Sequence, residues 1–227
     1  MYGNIVILTG AGISAESGLA TFRGAGGMWE GNRIEEVASP QAFSRSPDLV
    51  QKFYNMRRQQ LLSGIEPNDA HIAIAEFEKT VTLKKCSFLL VTQNVDDLHE
   101  RAGSSNILHM HGELLKARST STGEVITCRN DLAGTAFRPH IVWFGEMPFE
   151  MDRIQQALNS CDLFVSIGTS GHVYPAAGFV EAAVCAGAHT VEINLEPGIQ
   201  STHFQERIIG PASTCVPDYM TSLLKKI

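Results

Sequence analysis

The stretch from Gly10 to Arg23, GAGISAESGLATFR, directly follows the apolar run Ile5-Val6-Ile7-Leu8, and this junction constrains the fold more than any other feature. A buried strand ending in a glycine turn is how a parallel α/β sheet presents its carboxyl edge to a ligand. Gly10 and Gly12 have no Cβ, so the chain can turn tightly and a phosphate can approach the N–H groups that open the next helix. A nucleotide is the first ligand to consider. Ala15 stands where the common GxGxxG pattern needs its third glycine, which makes a simple dehydrogenase a poor match.

Apolar, β-branched runs recur at 4–8, 87–91, 162–167 and 189–193, with shorter ones at 106–110, 140–144 and 214–216. Apolar residues return every three or four positions at 15–20, 41–62, 69–79, 95–102, 150–159, 175–186 and 217–226, which predicts helices. Ser39-Pro40 is a helix start, with serine as N-cap and proline at the first helical position. The alternation predicts an α/β fold, a Rossmann-like parallel sheet covered by helices on both faces. Two stretches interrupt it: 24–68, with the loop GAGGMWEG and a helical hairpin, and 113–138, polar and turn-rich with STSTG at 119–123. These two insertions are expected to form a small module beside the large part (1–23, 69–112 and 139–227) within a single domain, 1–227. The crevice between the parts, at the carboxyl ends of the strands, is the expected site.

With 227 residues, 44% of them hydrophobic, the chain can bury a full core. A net charge of −6 leaves no electrostatic footprint for nucleic acid, and the pairs Arg57-Arg58, Lys84-Lys85 and Lys225-Lys226 read as solvated faces. No apolar stretch approaches the roughly 18 to 20 residues of a membrane span, and no signal-type leader precedes the first strand. The five cysteines, at 86, 128, 161, 185 and 215, are odd in number and scattered, with 86, 161 and 215 at or within predicted strands. Free thiols in a reducing compartment are expected, and a cytoplasmic location with them.

Chemistry-bearing residues cluster after the predicted strands. Thr-Gln-Asn-Val-Asp-Asp-Leu-His at 92–99 brings Gln93, Asn94 and Asp96 to the edge where the first glycine turn sits. Their amides and carboxylate suit ribose hydroxyls and a carboxamide, and equally suit a helix cap. His109 and His111 share a face unless the strand ends between them; a histidine there suits a general base or a structural hydrogen bond. Arg138 to Glu146, RPHIVWFGE, offers either an edge for an extended peptide or a core strand. Gly168 to Gly178, GTSGHVYPAAG, is a second glycine turn, and Asn194 ends the run 189–193 where a ribose-reading side chain is expected.

Taken together and in order, GAGISAESGLATFR, TQNVDDLH, HMHGEL, RPHIVWFGE and GTSGHVYPAAG resemble the sirtuin family of NAD-dependent protein lysine deacylases, from Gly10 to about Pro217. The resemblance implies that Gly10, Ala11, Gly12, Ser14, Phe22 and Arg23 enclose NAD, with Phe22 shielding the reactive ribose carbon. It implies that Gln93 contacts the nicotinamide ribose, that Asn94, Val95 and Asp96 line the nicotinamide pocket, and that Gly168, Thr169, Ser170, Asn194 and Ala212 hold the phosphates and adenosine. His111 becomes the general base, and Val142, Trp143, Phe144, Gly145 and Glu146 the peptide-binding edge. The implied reaction expels nicotinamide and moves the acyl group from lysine to ADP-ribose, inside a pocket that keeps water from the charge developing at C1′.

Family members that remove succinyl or malonyl groups have a similar Tyr-x-x-Arg pair, here Tyr54 and Arg57, three apart on one helix face. Ala38 matches the small residue that leaves such pockets wide. Hydrolysis of both acetyl-lysine and succinyl-lysine is therefore expected, on acyl-lysine protein substrates. Most members hold zinc with two Cys-x-x-Cys pairs in the segment corresponding to 113–138; here it contains only Cys128, with Ser119 where the first ligand would stand. A four-thiolate site cannot be built from one cysteine, so no metal is expected. A monomer without nucleic-acid or membrane partners completes the expectation. The competing functions are an NAD or ADP-ribose sensor and a protein ADP-ribosyltransferase.

Overall fold

The computed structural model describes residues 2–21, 28–29 and 32–227. Phe22 and Arg23, and most of the GAGGMWEG loop, lie outside the described residues. The first half contains β1 (Asn4–Thr9), α1 (Ala11–Ser14), the hairpin β2 (Met28–Trp29) and β3 (Asn32–Arg33), α2 (Ile34–Val37), α3 (Pro40–Arg45), α4 (Pro47–Leu62), α5 (Asp69–Leu83), β4 (Ser87–Thr92), α6 (Leu98–Ala102) and β5 (Ile107–His109). There follow β6 (Gly112–Ser119), β7 (Val125–Thr127), β8 (Phe137–Ile141), α7 (Met151–Asn159), β9 (Leu163–Ile167), α8 (Phe179–Cys185), β10 (His189–Asn194), β11 (Glu206–Ile209) and α9 (Ala212–Leu224).

Six strands form one sheet in the order β11-β10-β9-β1-β4-β5, with parallel pairing throughout. Period-two alternation sends successive side chains of β1 to opposite faces. Ile5 and Ile7 pack with Ile74, Phe77 and Val81 of α5 and Val216, Met220 and Leu223 of α9. Val6 and Leu8 pack with Ile154 and Leu158 of α7 and Phe179, Val180 and Ala183 of α8. Each of these large side chains contributes about 1.5 to 3 kcal/mol by leaving water, which makes the two faces of β1 the centre of the fold. The strand order departs from β1 in both directions, to β4 on one side and β9 on the other, and such a reversal is where open α/β sheets bind ligands.

The segment 113–138, expected to be turn-rich, turns at 120–124 and 128–136, and its strands belong to a three-stranded antiparallel sheet, β7-β6-β8. That sheet also takes in Gly112 and residues up to Ile141, so the strand expected at 140–144 ends early and 142–146 form a turn closed by Glu146 N–H on the Trp143 carbonyl. A third core joins Val37, Ala38, Val50, Phe53, Tyr54 and Leu61 to Leu114, Ile141, Trp143 and Leu98, so the small module is packed on the segment that follows β4.

Three further expectations are corrected. The helix predicted over 41–62 is two helices, because Pro47 lacks an N–H and forces Ser46 to an extended φ of −144°. The predicted strand 214–216 lies within α9: Val216, Met220 and Leu223 return at helical spacing and bury one stripe, so β-branched content misled the reading there. Cys215 accordingly sits on a helix, and the sheet edge is β11, paired to β10. Ser39 does cap α3, its Oγ accepting from Ala42 N–H at 3.0 Å. Among the described residues no helix is long and apolar enough to cross a membrane.

Candidate active site

The carboxyl ends of β1, β4, β9 and β10 carry Gly10, Gln93, Gly168 and the Asn194 region side by side. Gln93 N–H donates to Thr9 O at 2.9 Å, Gly10 N–H to Ile167 O at 3.0 Å, and Gly168 N–H to Ile193 O at 3.0 Å. The glycines also let the two turns approach each other. Gly12 N–H donates to Gly168 O and Ile13 N–H to Gly10 O, so with Gly10 three of the N–H groups expected to face a phosphate are used internally. A Cβ on Gly12 would stand 2.7 Å from Gly168 Cα, and one on Gly168, at φ +64°, would run into the Ile13 nitrogen. The two glycine turns therefore pack backbone against backbone, which locks β1 and β9 together beneath the crevice. Ala11 opens the four-residue α1 above this contact.

Behind the first turn lies a buried polar cluster. Ser14 Oγ donates to Asp96 Oδ2 at 3.1 Å and accepts from Asn94 Nδ2 at 3.1 Å, and the same amide donates to Gly10 O at 3.1 Å. Asp96 Oδ1 accepts from Leu98 N–H at 3.2 Å, which is the bond expected of a helix cap. Burial pushes the Asp96 pKa up to about 6. Val95 packs against the third core, and its carbonyl accepts from Leu114 N–H. His71, which none of the five motifs includes, completes the cluster from α5. Its Nδ1 lies 3.3 Å from the Asn68 N–H and 3.2 Å from Asn68 Oδ1, and its Nε2 3.4 Å from Ser14 Oγ. Burial lowers its pKa to about 4, so the ring is neutral. Its only trace in the sequence is the Asn68-x-x-His71 spacing of a capping box, here observed at the start of α5. Thr9, Thr92 and His99 form a second buried chain, with Thr9 Oγ1 at 2.9 Å from Thr92 Oγ1 and 3.0 Å from His99 Nε2.

His111 follows β5, just beyond the strand end at His109, so the two rings do not share a strand face. Its Nδ1 is 3.2 Å from the Gln93 carbonyl oxygen and so carries a proton. Nε2 keeps its lone pair and bonds to none of the described residues. Burial lowers the pKa below 6.5, so the ring is a free base at neutral pH. On the other side of the crevice, Asn194 Nδ2 donates to Thr169 O at 2.7 Å, Ser166 and Thr169 hydroxyls lie 2.8 Å apart, and Ile199 N–H donates to Ser170 O. Gln93, Thr169, Gly171 and Val173 line one recess there. Ala212 begins α9 and is buried nearby, after Gly210 N–H has closed on Asn194 O.

The expected substrate residues split into two groups. Phe144 N–H donates to Ala38 O and Val142 N–H to His111 O, which ties the 142–146 turn both to the small module and to the histidine. Phe144 is exposed, whereas Trp143 is buried with its Nε1 donating to Tyr54 Oη at 3.0 Å. Burial pushes the Tyr54 phenol well up. Arg57 lies one turn on, its guanidinium 5.5 Å from the Phe53 ring centre. Gly145 has φ +91°. Glu146 turns inward: it takes Arg138 at 2.6 and 2.9 Å and the Trp143 N–H at 2.9 Å, while the Arg138 guanidinium stacks 3.4 Å from the Trp143 ring centre. Burial alone would raise the Glu146 pKa, and the Arg138 hydrogen bond holds it lower.

The donors do not fit a structural zinc. Cys128 Sγ donates to Asn130 O at 3.3 Å and Ser119 Oγ is 3.2 Å from Ser121 Oγ, so no thiolate set converges there. Cys161, also buried, donates to Leu158 O at the approach to β9. Glu100, His109 and Glu113 do converge, and both carboxylates are already partnered, Glu100 by the ring and Glu113 by Lys116 at 2.5 Å.

Residues 10–175 match the model of the Sir2 family. Over 232 residues the sequence is 53% identical to the NAD-dependent protein deacylase of Salmonella typhimurium, spanning 97% of this chain and 84% of that protein. It is 56% identical over 234 residues to the NAD-dependent protein deacylase SIR2rp3 of Leishmania major, spanning 98% and 96%. The fold superposes on the crystal structure of a Sir2 homolog–NAD complex with a TM-score of 0.89 at 36% identity, over 99% of this chain and 90% of that one.

Proposed function

The chain belongs to the Sir2 family, and on that premise we propose that it is an NAD-dependent protein lysine deacylase. The observation that carries the reading is His111: its Nδ1 is fixed by the Gln93 carbonyl, and its Nε2 stays unprotonated at the carboxyl edge beside the Asn94–Ser14–Asp96 cluster. NAD bound in the crevice would be the co-substrate, its nicotinamide displaced from the ribose carbon by the acyl-lysine carbonyl oxygen. Ser14, Gln93, Asn94, Val95 and Asp96 hold the nicotinamide half, with the Asp96 carboxylate and the Asn94 amide orienting a carboxamide. The loop of Gly168, Thr169 and Ser170, with Asn194 and Ala212, holds the phosphates and adenosine, and Gly10, Ala11 and Gly12 lie beside it; the family resemblance assigns Phe22 and Arg23 to NAD as well. His111 Nε2 accepts a proton from a ribose hydroxyl, so the oxygen can take up the acyl group. A falling limb of kcat toward acid follows from protonation of that nitrogen.

The turn 142–146 pairs with an extended acyl-lysine peptide, with Phe144 exposed to meet it. Ala38 leaves the acyl channel wide, and Arg57 with Tyr54 gives it a place for a terminal carboxylate, which extends the activity to succinyl and malonyl groups. The small module, 24–68 with 113–138, forms the outer wall of this channel without a zinc ion. The protein acts as a cytoplasmic monomer on acylated proteins. Mass spectrometry of products from NAD with acetyl-lysine and succinyl-lysine peptides tests the reading: nicotinamide and O-acyl-ADP-ribose are expected from the native protein and not from His111→Tyr. Bound NAD without turnover would point to a sensor, and an ADP-ribosylated peptide to a transferase. Arg57→Met is expected to lose desuccinylation and keep deacetylation; equal loss of both would remove the carboxylate-binding role.

A further inference from the structure

The ring of His109 lies between two acceptors: Nδ1 is 3.2 Å from the Asn94 carbonyl oxygen and Nε2 is 2.5 Å from Glu100 Oε1. A neutral imidazole has one N–H, so one of these contacts would then set a lone pair against an oxygen. Both are satisfied only by the imidazolium. The charged and titratable groups facing the ring are Glu100 and His99 on α6, Glu113 on β6 with Lys116 paired to it, and Asp96 after β4. Burial by itself lowers the His109 pKa, but the hydrogen bond and charge of Glu100, with the charge of Glu113, raise it above 6.5.

The carbonyl that His109 holds belongs to Asn94, whose side chain bridges Gly10 O and Ser14 Oγ; the preceding carbonyl, of Gln93, is held by His111. Two histidines thus fix two consecutive peptide groups of the segment that forms one wall of the crevice. We propose that His109 is a positioning residue for NAD: as an imidazolium clamped by Glu100 it keeps Asn94 in its binding geometry, so that NAD affinity falls when the ring loses its proton. This rests on the NAD-dependent reading above. On deprotonation the remaining proton stays on Nε2, because a hydrogen bond to a carboxylate is roughly twice as strong as one to a neutral oxygen. Asn94 O then faces a lone pair. With glutamine at position 100 the neutral ring is free to place its proton on Nδ1, donate to Asn94 O and accept from the amide.

The test joins a titration of the histidine ring signals by NMR, without NAD, to calorimetric Kd values for NAD between pH 6 and pH 9. His109, assigned by its absence in His109→Gln, is expected to titrate above 6.5 in the native protein and lower in Glu100→Gln. The native Kd is expected to weaken roughly three- to tenfold as the ring deprotonates, the scale of one hydrogen bond, and both variants to lose that dependence. His109 titrating at or below 6.5, or the same pH dependence persisting in both variants, would overturn the proposal. Failure to bind NAD at any pH would sink the enzymatic reading itself, while the NMR titration would still decide the charge of His109.

Discussion

Asp96 has one carboxylate oxygen on the Leu98 N–H and the other on the Ser14 hydroxyl, and burial still outweighs both bonds, leaving its pKa near 6. A carboxyl that holds its proton more tightly when folded favours the fold below its unfolded pKa of about 3.8, and that stability is lost as pH rises through about 6. Asp96→Asn removes the titration. The variant is expected to gain on the native protein by about 2 to 3 kcal/mol between pH 4 and pH 7, read by urea unfolding, and to lose deacylase activity. A constant difference across that range would show that Asp96 titrates normally. At this scale the motif residues were legible, since Gln93, Asn94, Asp96 and His111 follow strands that could be recognised. His71 was not, because its role depends on α5 lying across the first glycine turn, far from the motif in the chain.

Elements were legible where hydrophobic period and punctuation agreed, as in β1, β4, β9 and β10 or in the Ser39 cap. They failed where one residue overrode the pattern, as Pro47 does between α3 and α4, or where β-branched residues lie on a helix, as Thr214 and Val216 do on α9. The junction of β1 with β9 depends on the contact between Gly12 and Gly168. Gly168→Ala is expected to cost about 2 to 3 kcal/mol in chemical denaturation, from the positive φ and the clash with Ile13, and to weaken NAD binding. Gly123→Ala is the control: φ is +76° but a Cβ there meets open space, so about 1 kcal/mol is expected. Equal costs at the two sites would mean that backbone conformation, and not the meeting of the turns, sets the requirement for glycine.

Among the described residues the molecule rests on three cores, two on the faces of the parallel sheet and one that fastens the small module to it through Trp143, Tyr54, Leu98 and Leu114. Gln51 adds bonds across the module to Gly134 O and Phe137 O, and Arg58 donates to Leu114 O, so packing and hydrogen bonds hold the module together. Dialysis against a chelator is expected to leave both the melting temperature and deacylation unchanged, whereas stoichiometric zinc by elemental analysis would overturn that account. The sequence by itself determined the parallel α/β class and which polar loops lie at the carboxyl edge of the sheet, because strand period and glycine turns are local signals that place loops at one edge. Only the tertiary structure decided that the glycines meet each other, that the 113–138 segment pairs as a sheet with residues beyond it, and that His109 and His111 hold neighbouring carbonyls. Those relations depend on distances between residues remote in the chain, which no local pattern encodes.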